Sequence, residues 1–258
     1  TLPAYRVETV GRGYRLRRNG RVIYLGPSLE LCAVNLLNEL QLAAYRERPN
    51  LCVLHAGGVG LEDDCVLLLG VAGAGKSTLT AALLHSGFDY LSDDTVPIDA
   101  ANRHAIALTP PLCIKAGSVA VLEDRYPALP QLPIYQRVDQ PVPYLPPPST
   151  SLSGAPERTV RAVVFPHYQP GSEARLTEMP ATQAFALLVN AGVFAHRPRD
   201  PAQIGALVDW FGGLPSYALA YDDLDDARRL VQTVLNTGTR SVPKKQHPSG
   251  TAPARTEP

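Results

Sequence analysis

The residues best placed to do chemistry are Gly70 to Ser77, which read Gly-Val-Ala-Gly-Ala-Gly-Lys-Ser and fit the spacing G-x-x-x-x-G-K-[ST]. An apolar strand, Cys65 to Leu69, enters this pattern, and an apolar-periodic helix leaves it. Glycines 70, 73 and 75 let the backbone take positive φ and turn its N–H groups inward as an anion nest. The helix that starts near Lys76 adds the positive end of its dipole, Lys76 adds a point charge for outer phosphates, and the Ser77 hydroxyl can ligate Mg²⁺. Gly70, Ala72, Gly73, Ala74, Gly75, Lys76, Ser77 and Thr78 are therefore expected to line a nucleoside triphosphate site. The chain has four lysines, at 76, 115, 244 and 245, and uses arginine elsewhere, so a lysine at 76 is a chosen one.

Asp93 and Asp94 form the second group. A helix from Lys76 to Ser86 rises about 16 Å away from the loop, Gly87 ends it, and the strand Phe88 to Leu91 returns about 13 Å. The two carboxylates thus arrive on the sheet edge where ligands of open α/β sheets sit. Asp pairs also stand at 63-64, 222-223 and 225-226, but only 93-94 returns to the loop edge. One carboxylate can hold Mg²⁺ and the other can accept a proton from an attacking hydroxyl; spacing leaves open which does which. If Leu51 to Gly60 is one strand paired with Cys65 to Leu69 about residue 63, His55 falls opposite the neighbourhood of Val71. His55 then either looks onto the phosphates or bonds backbone at a strand end. Lys115 either reaches a phosphate or marks a surface strand end.

These groups must be carried by elements the pattern also predicts. Tyr5 to Gly26 alternates and turns at Asn19-Gly20, which predicts a β-meander. Ser28 caps a helix running to about Arg46, stopped by Pro49. Residues 1–50 are read as this N-terminal meander and helix, and 51–236 as the main domain. Within it, Thr95 to Ile98 and Ala105 to Leu108 suggest a hairpin. Residues 127–156 carry nine prolines and suggest an extended loop, not a sheet interior. Thr159 to Pro166 is a buried strand, helices span about Ala181 to Val193 and Pro201 to Phe211, and Tyr217 to Ala220 precedes a last helix from Leu224 to about Leu235. Residues 237–258 are expected to be a disordered tail.

Composition narrows the function. There are 24 basic and 24 acidic residues, so no nucleic-acid or anionic-membrane surface is indicated. Cysteines 32, 52, 65 and 113 lie in apolar runs without metal-ligand spacing, which suggests free buried thiols and a cytoplasmic setting. No stretch has the length of a membrane span, and residues 1–6 lack the pattern of a signal peptide.

The run from His55 to Asp94 resembles the core of the HPr serine kinase family, through Leu54-His55-Ala56-Gly57-Gly58-Val59, Gly70 to Ser77, His85-Ser86-Gly87-Phe88 and Leu91-Ser92-Asp93-Asp94. Ile114 to Ser118, Tyr144 to Pro148 and the ending up to Leu235 are similar to stand-alone HPr kinase-like proteins encoded with peptide-modifying enzymes. The resemblance implies an α/β P-loop fold of the phosphoenolpyruvate-carboxykinase-like type, with ATP and Mg²⁺ as cofactors. It implies phosphorylation of a Ser or Thr hydroxyl, on a protein or on a co-encoded precursor peptide, and leaves homo-oligomerisation open. Lys76 and Ser77 would hold phosphate and Mg²⁺, one of Asp93 and Asp94 would be the base, and His55 would sit near the transferred group. Thr78 departs from the Glu of the bifunctional enzymes and no Glu-x-Arg-Gly-Leu-Gly signature occurs, which bears against a carrier-protein acceptor, reverse phosphorylase activity and their hexamer. Two other readings compete: a P-loop ATPase or switch, and a nucleotide-binding scaffold without turnover. No Asn-Lys-x-Asp guanine-reading motif is present.

Overall fold

In the computed structural model, which describes residues 3–46, 48–137, 140–194 and 201–238, Asn19 and Gly20 both take positive φ, 48° and 81°. The Asn-Gly pair thereby closes the expected tight hairpin. It lies within a three-stranded antiparallel sheet, β1 (Tyr5–Val10), β2 (Gly13–Arg18) and β3 (Arg21–Gly26). Helix α1 (Leu29–Arg46) follows. Ser28 caps it, its Oγ accepting from the Leu31 N–H at 3.1 Å. The helix packs on β2 and β3, with Leu16 and Cys32 fully buried.

The segment from 50 to 106 supplies β4 (Asn50–Leu54), β5 (Ala56–Leu61), β6 (Asp64–Leu69), α2 (Lys76–His85), β7 (Asp89–Ser92), β8 (Val96–Asp99) and β9 (Ala105–Ile106). Then come β10 (Leu112–Cys113), α3 (Ala116–Leu122), β11 (Ile134–Gln136), β12 (Pro141–Leu145) and the long β13 (Glu157–Tyr168). The remainder is β14 (Arg175–Glu178), α4 (Ala181–Ala191), β15 (Val193–Phe194), α5 (Pro201–Gly212), β16 (Ser216–Tyr221) and α6 (Leu224–Gly238). The architecture is mixed α/β. β13 runs parallel to both β6 and β16, while β5 pairs antiparallel with β6 and with β7. β9, β8, β4 and β15 extend the sheet from the N-terminal end of β13.

Period-two alternation divides the core between the two faces of this sheet. Val66, Leu68, Val164 and Leu219 face α2 and α6 through Leu79, Leu83, Ala227 and Val231. Leu67, Leu69, Val163 and Phe165 face α4 and α5 through Leu188, Leu207 and Phe211. Each such side chain contributes about 1.5–3 kcal/mol by burial. Helix α2 presses on β5 where that strand reads Ala-Gly-Gly-Val-Gly; a Cβ on Gly57 would stand 2.6 Å from Thr80 Oγ1. The glycine keeps α2, and so the loop before it, tight against the sheet.

Near the N-terminal end of β13, Arg158 is 1 % exposed and donates from Nη2 to Asp89 Oδ2 at 2.6 Å. Gly154 leaves the room the pair occupies. Removing only the acid strands a buried guanidinium, a change that costs about 3–5 kcal/mol. Asp89→Ala is therefore expected to lower the melting temperature by ~10 °C in a thermal unfolding scan. The double variant Asp89→Ala/Arg158→Met recovers most of that loss, because it removes the orphaned charge as well; a melting temperature unmoved by Asp89→Ala would refute the account.

Several expectations change. Leu51 to Gly60 is two strands broken at His55, because β4 pairs with β8 while β5 pairs with β6. The β5–β6 hairpin closes on two residues, Glu62 at φ 54° and Asp63, with Leu61 opposite Asp64. Partners therefore sum one lower than a turn centred on residue 63 gives, and the register points His55 toward Gly70, not Val71. The proline-rich stretch is not merely an extended loop: β12 is the middle strand of a second small sheet, ordered β10-β12-β11. Its prolines are tolerated because Val142, between them, pairs with β11, while Pro143 offers only its carbonyl, to the Ile114 N–H at 3.2 Å. Helix α6 continues to Gly238, so residues 237 and 238 are helical; the expected tail from 239 to 258 lies outside the described residues. The four cysteines are free and buried, as their apolar settings suggested. No helix among the described residues is long and apolar enough to cross a membrane.

Candidate functional site

Strand β6 delivers the chain into the glycine loop and α2 carries it away. Gly73 and Gly75 take φ of 87° and 92°, a region L side chains rarely adopt. Gly75 also meets a steric limit, since a Cβ there would stand 2.7 Å from Tyr221 Oη. No side chain caps the N-terminus of α2, so its first-turn N–H groups and dipole are directed into the loop. Ala72 is exposed at the loop tip, and the Ala74 N–H bonds the Val71 carbonyl at 3.2 Å. Lys76 is buried, and its Nζ donates to the Gly70 and Val71 carbonyls at 2.7 and 3.3 Å. Burial lowers its pKa while Asp94 and Asp93 act against that shift. Thr78 is turned aside: its Oγ1 lies 2.6 Å from Ser118 Oγ and ties α2 to α3. Lys115 precedes α3, is exposed, and its charge is felt at Lys76.

The chain-length reckoning for the acidic pair holds. β7 ends at Ser92 and Asp93 lies beside the loop, accepting from the Ser77 hydroxyl at 3.1 Å on Oδ1. Asp93 is 3 % exposed, and its Oδ2 is buried with no hydrogen-bond partner. Burial, with the neighbouring Asp94 charge, pushes its pKa up to about 7 despite the Ser77 hydrogen bond. An orphaned carboxylate oxygen beside a serine hydroxyl is a hard oxygen pair of the kind Mg²⁺ takes. The residues present thus fit a magnesium nucleotide: a nest for its phosphates and oxygen ligands for its metal.

Asp94 differs from its neighbour in exposure and in backbone conformation. Its φ is 69°, its side chain is 39 % exposed, and with Asp93 it lines a cavity of about 220 Å³, near enough to the loop for its charge to act on Lys76. A non-glycine residue held in the left-handed region is a strained feature of the kind that clusters at functional sites. His55 sits at the break between β4 and β5, with its N–H on the Gly192 carbonyl. Its Nδ1 lies 3.1 Å from the Asp94 carbonyl oxygen and 3.8 Å from Asp94 Oδ1. His55 therefore contacts Asp94 through both its backbone carbonyl and its carboxylate.

The same cavity is lined by residues to which the sequence assigned no part in the chemistry. Asn38 and Gln41 come from α1, Thr95 from the turn after Asp94, and Cys113, Arg137 and Tyr144 from the small sheet region. Arg137 Nη1 donates to Cys113 Sγ at 3.1 Å. One signal for it existed: in the stretch 127–156 Arg137 is the only basic residue.

No family model matches the chain. No curated protein matches it either. Among solved structures it is similar to the Hpr(Ser) kinase/phosphatase from Coxiella burnetii, at 12 % identity over 72 % of this chain and 95 % of that one, with a TM-score of 0.31.

Proposed function

We propose that the protein is a kinase that uses magnesium ATP to phosphorylate a Ser or Thr hydroxyl of a protein or peptide. The observation that carries this reading is the Ser77–Asp93 hydrogen bond at 3.1 Å, which joins the phosphate-type loop to an acidic pair that lines an open cavity. Bound Mg²⁺ would neutralise charge on the transferring phosphoryl group, held by Ser77 and Asp93. The loop amides and Lys76 would grip the anionic oxygens. Asp94 would take the proton of the acceptor hydroxyl as that oxygen bonds to the γ-phosphorus and the bond to the departing nucleoside diphosphate breaks. His55, bonded to the Asp94 backbone, would hold that carboxylate toward the acceptor. The chemistry is positioning plus electrostatics, as phosphoryl transfer requires.

The test is incubation with ATP and Mg²⁺ beside candidate peptides and proteins, read by mass spectrometry. The expected result is a gain of one phosphoryl group on a Ser or Thr, dependent on Mg²⁺. Nucleotide hydrolysis with no labelled acceptor would favour a P-loop ATPase instead, and nucleotide binding without turnover would favour a scaffold.

A further inference from the structure

A second cavity, of about 350 Å³, continues from the first. The two share Leu37, Pro111 and Tyr144 as wall residues. The first carries carboxylates, amides and a guanidinium; the second is lined by Ala33, Val34, Leu132, Pro133, Tyr135 and Pro146 and is mainly apolar. Along α1 the change is graded. Ala33, Val34 and Leu37 face the apolar end, and Asn38 and Gln41 face the end that holds Asp94. These five positions form one stripe at helical spacing. From Ala33 to Gln41 the helix rises about 12 Å, a span that three or four residues of extended chain cover. The opposite bank includes Tyr135 of β11, an outer strand of its sheet that also packs on α1.

Resting on the kinase reading above, we propose that this groove between α1 and the proline-rich segment is the acceptor site. Its occupant is an extended peptide that presents its hydroxyl to Asp94 and sinks a bulky apolar side chain, about two or three residues away, into the cavity beside Ala33 and Val34. The amide side chains of Asn38 and Gln41 suit the peptide backbone between those points. The N-terminal module thus supplies one wall of the site and selects the acceptor.

The probe is a set of synthetic peptides, each with one serine in an Ala/Gly background and a single Leu or Phe moved stepwise along it. Phosphate incorporation with ATP and Mg²⁺ is read by mass spectrometry. Peptides with the apolar residue about two or three places from the serine should show kcat/KM at least ~10-fold above the unsubstituted peptide. Ala33 is exposed in the groove and touches neither the glycine loop nor the acids, so Ala33→Trp should fill the cavity and abolish that preference, leaving the calorimetric Kd for magnesium ATP unchanged. Labelling without a positional apolar preference, or a preference that survives Ala33→Trp, overturns the groove and leaves the kinase reading standing. Nucleotide binding with no peptide labelled defeats peptide phosphorylation itself, and this inference with it.

Discussion

Alanine in place of Lys76 should lower phosphoryl transfer about a thousandfold, roughly 4 kcal/mol of transition-state stabilisation, because it deletes a preorganised charge whose own side chain is buried. Lys76 is 5 % exposed and bonded to the Gly70 and Val71 carbonyls, so its ammonium is fixed within the turn that would receive phosphate. Arginine should not rescue it: a planar fork cannot occupy the place of a compact ammonium inside so tight a nest. The fold should survive, since relief from burying a cation offsets the two carbonyl bonds lost. Rates measured by product mass, with circular dichroism melts of Lys76→Ala and Lys76→Arg beside the parent, give the check. Full transfer by folded Lys76→Ala protein would remove the loop from the chemistry.

What could be read in the sequence was what is local or additive along the chain. Gly70 to Ser77 declares its backbone through glycines at required positions. Asp93 and Asp94 were placed by adding the rise of a helix to the return of a strand, and both sums are set by covalent geometry. Asn19-Gly20, Ser28 and Gly87 each carried their own turn or cap. The break at His55 was not legible, because it depends on two distant partners: the Gly192 carbonyl and the backbone of Asp94. Nor was the placement of Arg137 against Cys113, which is reached only after the small sheet has formed. That sheet was itself hidden, since prolines at 141 and 143 argue against a middle strand until the staggered pairing is known. The proposed division of labour between the two acids rests likewise on a difference in burial, which adjacency in sequence conceals.

That division yields a paired prediction. Asp94→Asn should slow transfer by about 10²–10⁴-fold, the usual worth of a positioned proton acceptor, while leaving Mg²⁺ binding intact. Asp93→Asn should remove the response to Mg²⁺. The melting temperature separates them. With a folded pKa raised to about 7, Asp93 keeps a proton in the folded state that the unfolded chain gives up near its ordinary value of 3.8. Its contribution to stability is therefore full below the unfolded pKa, and it is lost as pH rises toward 7 and stays lost above it. In Mg²⁺-free buffer, the parent should lose several degrees of melting temperature between pH 5 and 8, by ~1 kcal/mol or more through this group. Asp93→Asn, carrying no ionisable group there, should show a shallower decline and melt above the parent at the alkaline end. Adding Mg²⁺ at pH 8 should raise the melting temperature of the parent and of Asp94→Asn, because the ion draws the charged carboxylate into a favourable pairing, but should leave Asp93→Asn unmoved. If Asp93→Asn melts below the parent at pH 8 and still answers to Mg²⁺, the buried carboxylate is not the metal's seat, and the roles given to the two acids must be exchanged.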